Sequence, residues 1–193
     1  MPASAAVLPV PVAVKDNKFK PDALALPLGV QTQWNWADDV GNAHNVRQDS
    51  SLFTSGAPTD DPNTTFLRRP SAGTFHYFCE VHGSKRGGMD GVIRVKPFMT
   101  AAGGADDEFT VVWVNGTSDT GDQFDVRYRV GKKRKKFKPW LTDTSLGQAV
   151  FGAGDSPVDV KPGKAYYFRA RSQNSSNPSK PSGWSPTLKV VLQ

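Results

Sequence analysis

Short runs in which apolar and polar residues take turns dominate this chain. "GTFHYFCEVH" (73–82), "FDVRYRV" (124–130) and "AYYFRARSQN" (165–174) all follow that pattern. A period of two puts every second side chain on one face of a pleated strand. Turn residues separate the runs: the chain has 18 Gly and 15 Pro. No long stretch shows helical periodicity. The pattern predicts an all-β chain of many short strands. Its 193 residues suit two domains, each of about 100 residues.

The division falls near residue 100. "KPFMTAAGGADDE" (96–108) loses strand character and turns small, glycine-rich and then acidic, as a linker does. The expected organisation is a first domain over 1–98, a linker over 99–106 and a second domain over 107–193. Residues 1–100 carry a net charge of +1 and residues 101–193 a net of +5. The excess comes from "KKRKKFK" (132–138), with six positive charges. No apolar run is long enough to span a membrane. The start, "MPASAAVLPVPVAV", lacks a basic segment and is broken by prolines. It makes a poor signal peptide and suits a mature N-terminus.

The single cysteine lies in "YFCEVHGSKRGGMDG" (77–91), beside one of three histidines and one of three methionines. One cysteine permits no internal disulfide. Strand parity places Phe75, Tyr77 and Cys79 on one face, and His76 and Phe78 on the other. His76 therefore points away from Cys79. His82 follows where the strand is expected to give way to a loop, and Met89 stands where the next strand resumes. A type 1 copper site needs a thiolate, two neutral imidazoles and a weak axial thioether. Cys79, His82 and Met89 supply three of these. With His76 set aside, only His44, in "DDVGNAHNV", remains for the fourth. Zinc is the competing metal, but methionine suits copper and not structural zinc. Multicopper catalysis would need more histidines than the chain has. That leaves one-electron transfer by one copper rather than an enzyme. Trp34 and Trp36 share a strand face and read as core.

"AGTFHYFCEVHGSKRGGMDGVIRV" resembles the C-terminal signature of the plastocyanin-like cupredoxins, the small blue copper proteins. "FKPDALALPLGVQTQWNWADDVGNAHNV" is similar to the earlier half of that family. The resemblance covers about residues 8–97 and implies a Greek-key β-sandwich. It carries the copper ligands onto His44, Cys79, His82 and Met89. The spacing between His82 and Met89 is longer than plastocyanins usually have. The resemblance makes Asn45 the residue that ties the two ligand loops together. It also makes His82 the port through which electrons pass. Lys85 and Arg86, close by, would favour an acidic redox partner.

The second half offers "FTVVWVN", "FDVRYRV", "AYYFRARSQN" and "SPTLKVVL" as strands, with Trp113 as a core anchor that Tyr128 and Tyr167 could meet. The series resembles a fibronectin type III domain, an immunoglobulin-like sandwich, over about 107–193. Without His or Cys it holds no catalytic constellation and reads as a spacer or adhesion module. Lys132, Lys133, Arg134, Lys135, Lys136 and Lys138 are expected in a hairpin turn. They are either a solvated loop or a contact for an anionic cell-surface polymer. Nucleic acid is not expected, because Phe137 is the only aromatic in the run. The whole reads as an extracytoplasmic, secreted or surface-attached electron carrier. The alternative is a copper-binding adhesion or sequestration protein in which redox is incidental.

Overall fold

The computed structural model describes residues 7–36, 41–101, 108–131, 135–152 and 156–192. All its regular elements are strands. Among the described residues no helix is long and apolar enough to cross a membrane.

The first half builds two four-stranded sheets. One has β1 (Val10–Lys15), β2 (Lys18–Lys20), β4 (Thr32–Asn35) and β6 (Thr65–Arg68), in the order β2-β1-β4-β6. The other has β3 (Ala23–Leu26), β5 (Arg47–Gln48), β7 (Gly73–Ser84) and β8 (Gly87–Val95), in the order β3-β8-β7-β5. The pairs β1–β4 and β3–β8 are parallel. Alternation does the sorting. Phe75, Tyr77 and Cys79 are buried while His76 and Phe78 are half-buried. Across the interior Trp34 meets Tyr77 edge-on at 5.2 Å, and Trp34 and Trp36 are fully buried. Aromatic pairs of this kind add to the burial of apolar area that holds a sandwich together.

Among the described residues the second half holds seven strands, not the four expected. A three-stranded sheet runs β13 (Gln148–Phe151), β10 (Phe109–Val112) and β9 (Phe98–Ala101). A four-stranded sheet runs β12 (Lys138–Thr144), β11 (Gln123–Val130), β14 (Ala165–Gln173) and β15 (Leu188–Val191). Phe151 of one sheet packs edge-on against Phe168 of the other at 4.8 Å. Two expectations are corrected. Residues 99–101, placed in the linker, belong to β9, where Val112 pairs with Phe98 and Phe109 with Ala101. Phe98 and Met99 pack against the core, which gives this short segment a reason to be a strand. The remainder of the expected linker, 102–106, lies outside the described residues. In β14 the inward tyrosine is Tyr166, 1% exposed, and not Tyr167. Parity decides this, because Tyr166 shares a face with Phe168 and Ala170.

The two halves are hydrogen-bonded at the entry to β7. Ala72 N donates to Trp113 O at 2.8 Å, and Thr74 and Gly183 exchange backbone bonds of 2.9 Å in both directions. Thr74 Oγ1 adds a bond to Trp184 O at 2.8 Å, and Ser50 Oγ one to Pro181 O at 2.8 Å. The second half is thus docked on the strand that leads to Cys79.

Candidate metal centre

The β7–β8 hairpin makes the site. Its ladder runs in register from Gly73↔Val95 to Phe78↔Asp90, breaks, and resumes at Gly83↔Gly88. Across the break, residues 79–82 on β7 stand opposite Met89 alone on β8. The extra residues bulge out of the ladder, and they carry Cys79 at one end and His82 at the other. The sequence leads one to expect an open loop from His82 onward. Instead "GSKRGG" closes as a tight hairpin tip, with Ser84 paired to Gly87 around Lys85 and Arg86.

Two glycines make the tip close enough. A Cβ on Gly83 would lie 2.6 Å from Met89 O, and one on Gly88 would lie 2.7 Å from His82 O. Gly88 also has a φ of +73°, a conformation that side chains disfavour. The pinch absorbs the longer His82–Met89 spacing, so the added residues do not carry the two apart.

His44 arrives from the other direction. It exchanges backbone bonds of 2.9 Å with Thr59 in both directions, and its carbonyl accepts the indole N–H of buried Trp36 at 3.2 Å. Its side chain is fully buried, as is Cys79. Cys79 Sγ lies 3.7 Å from His44 Nδ1 and 3.8 Å from His82 Nδ1, and the two Nδ1 atoms are 2.9 Å apart. The thiol and both imidazoles form the one His, Cys and carboxylate group of metal-binding geometry among the described residues. One ion at bond lengths of about 2.0–2.3 Å, usual for imidazole and thiolate, would satisfy these separations. Met89 is buried, 1% exposed, on the strand facing the bulge. Two His, one Cys and a Met form the donor set typical of a type 1 copper site.

His76 stands apart from this group, half-buried on the other face of β7. Burial, and then Arg86, hold its pKa below the ordinary histidine value against the pull of Asp49.

Asn45, fully buried, joins the two arms. Its Nδ2 donates to Gly56 O at 3.0 Å and to Glu80 Oε2 at 2.6 Å, and its Oδ1 accepts from Glu80 N at 2.9 Å. The neighbour of His44 is therefore bonded to the neighbour of Cys79. Arg47 completes the clasp with an ion pair to Glu80. Hydrogen bonding from Asn45, and then Arg47, hold the Glu80 carboxyl below its ordinary range. Sequence reasoning missed Glu80 and Arg47. The available signal was their place beside the ligand segments, with opposite charge and outward parity. Of the basic run, Lys135, Lys136 and Lys138 are exposed, and Lys132, Lys133 and Arg134 lie outside the described residues.

No protein-family model matches the chain, and no curated protein matches it in sequence. Several solved structures are similar to part of it. A purple cupredoxin from Nitrosopumilus maritimus is 20% identical, with a TM-score of 0.36 over 45% of this chain and 98% of its own. A mutant of amicyanin in its Cu(I) form is 22% identical, with a TM-score of 0.38 over 48% of this chain and 87% of its own. A Cu-containing nitrite reductase from Thermus scotoductus SA-01 is 24% identical, with a TM-score of 0.36 over 49% of this chain. This chain spans only 24% of that reductase's length. Likeness at this level carries no functional argument, which rests instead on the donor atoms.

Proposed function

We propose that the protein is a type 1 copper electron carrier, built as a cupredoxin domain with a fibronectin type III-like module docked against it. One observation carries the reading: a buried thiol and two imidazole nitrogens converge within 4.8 Å, on a bulge that faces a buried methionine. Bound copper would supply one-electron exchange between Cu(II) and Cu(I). Cys79 would hold it as thiolate, His44 and His82 through Nδ1, and Met89 through its thioether. The surrounding protein limits rearrangement. Cys79 and His44 are fully buried, and the Asn45–Glu80 bonds fix one ligand segment to the other. His82 is half-buried and Val81 beside it is 54% exposed. Electrons would therefore enter and leave at the His82 edge. Exposed Lys85 at the hairpin tip favours an acidic redox partner.

The strand order β13-β10-β9 against β12-β11-β14-β15 supports the immunoglobulin-like reading of the second half. We place the protein outside the cytoplasm, where such a module would position the carrier. The deciding experiment is the visible spectrum of the copper-loaded protein, followed by its self-exchange rate. An intense thiolate-to-Cu(II) band with fast exchange is expected. Sluggish exchange with very tight Cu(I) binding would instead identify a sequestration protein.

A further inference from the structure

The outer face of the sheet β12-β11-β14-β15 carries a second constellation, far from the metal centre in chemistry. Val126, Tyr128, Phe168 and Ala170 turn inward and are buried. Arg127, Arg129, Arg169 and Arg171 alternate with them and are half-buried on the opposite face. Arg127 pairs directly across the ladder with Arg169, and Arg129 with Tyr167. Like charges opposite one another in a sheet repel. Here aromatic rings hold them in place. Arg127, Arg169 and Arg171 lie over the Trp184 ring at 4.6, 4.7 and 4.7 Å from its centre. Arg129 and Arg169 lie over Phe137 at 4.8 and 4.4 Å, and Arg129 over Tyr167 at 4.3 Å. The ring quadrupoles offset part of the repulsion. Burial, and then Arg127, Arg129 and Arg171, keep Arg169 below the ordinary arginine pKa.

Two acidic side chains lie toward one end of the face. Asp125 accepts from Arg171 Nε at 2.8 Å, and Asp143 accepts from Gln173. Toward the other end the face continues into exposed Lys189, across from Tyr167. Lys135 and Lys136 flank the same sheet beyond Arg129.

We propose that this face docks an acidic polysaccharide bearing sulfate or carboxylate groups. The inference is independent of the copper reading. Stacking fixes the plane of each guanidinium, so little freedom is lost when it takes an oxyanion in bidentate fashion. Each strand carries two arginines on this face: Arg127 stands opposite Arg169, Arg129 opposite Tyr167 and Arg171 opposite Asp125. A strip of cations along one sheet face suits an extended chain with repeated anions. Single-stranded nucleic acid is a poorer occupant, because it needs free aromatic faces for base stacking. Arginines already cover the faces of Trp184, Phe137 and Tyr167.

The test measures binding of the full chain to immobilised dextran sulfate and polygalacturonate. Neutral dextran, single-stranded DNA and anionic phosphatidylglycerol vesicles are the comparison surfaces. Binding to at least one acidic polysaccharide and none to neutral dextran is expected, with steep loss as salt rises. R129Q/R169Q should weaken it about tenfold or more. K189E, at an exposed position that leaves the stack intact, should weaken it about threefold or more. Circular dichroism checks folding, and K189E decides the matter if the double variant does not fold. Absence of binding would overturn the proposal. So would unchanged affinity in the folded face variants, or loss caused by K135Q/K136Q alone. Tighter binding to DNA or to vesicles than to either polysaccharide would overturn it as well.

Discussion

Asn45 and Glu80 bond to each other twice, side chain to side chain at 2.6 Å and side chain to backbone at 2.9 Å. One stands next to His44 and the other next to Cys79, so the pair sets the distance between two ligand segments remote in sequence. N45A removes these bonds and the one to Gly56 O. Each lost hydrogen bond of this kind costs about 0.5–1.5 kcal/mol. The melting temperature should fall, and copper affinity should fall with it. N45A protein that melts and binds copper like the parent would show that the clasp is incidental.

The metal assignment turns on parity. C79S should abolish the visible band, and H44A should destroy it or open the site to added imidazole. H76A should leave it unchanged, because His76 faces away from Cys79. Absorption spectra of the three copper-loaded variants check this. A band lost in H76A and kept in H44A would reverse the assignment.

Met89 and the pinched hairpin are tested together. M89L should keep copper and raise the reduction potential, since a weak donor to Cu(II) is lost and the site becomes drier. G88A places a Cβ 2.7 Å from His82 O at a positive φ. Its backbone strain costs about 1–2 kcal/mol, and the movement it forces falls on His82 and Met89. Voltammetry and absorption should therefore shift in G88A although no ligand has changed. A potential unmoved by M89L would put another group on the axis.

Much of this was legible in the sequence, and the rest was hidden for identifiable reasons. Parity alone put Cys79 inward and His76 outward, because the period of two is rigid over "GTFHYFC". The same parity puts Tyr166 inward, but a tyrosine doublet offers two registers and only the neighbours choose. The strands β9, β12 and β13 escaped because their sequences, "FMTA", "KPWLTDT" and "QAVF", are short or broken by proline. Their strand character comes from partners remote in sequence, not from propensity. The hairpin at "GSKRGG" looked like an open loop, since nothing local shows that two glycine backbones meet there. The Trp184–arginine stack joins residues from β11, β14 and the segment before β15. Only the arginine spacing in "VRYRV" and "FRARS" hinted at it.

Acid should loosen the clasp. Glu80 has its pKa held down in the folded protein, first by Asn45 and then by Arg47. A depressed folded pKa contributes stability above the unfolded value, about 4.3 for glutamate. That contribution is lost as pH falls through the folded pKa. The melting temperature of the metal-free protein should thus fall more steeply below that range than that of E80Q. Because Glu80 is largely exposed, the difference should be small and should shrink in high salt. Identical acid profiles for the two proteins would remove Glu80 from the account.

The two halves should unfold as partners rather than as beads on a string. Thr74 and Gly183 are joined by reciprocal backbone bonds, and Ala72 and Trp113 by another. All of these fall on the entry to β7, the strand that carries Cys79. A ligand that binds only the native state stabilises whatever unfolds with its site. Copper should therefore raise the melting of the second half as well as the first. Near-ultraviolet circular dichroism cannot separate the halves easily, since both hold buried tryptophan. Hydrogen exchange can, by following amides of β11 and β14 with and without copper. Slower exchange there on loading is expected, and T74V, which removes the bond from Thr74 Oγ1 to Trp184 O, should weaken the coupling. If copper slows exchange only in the sheets that hold its ligands, the interface bonds do not couple the two halves.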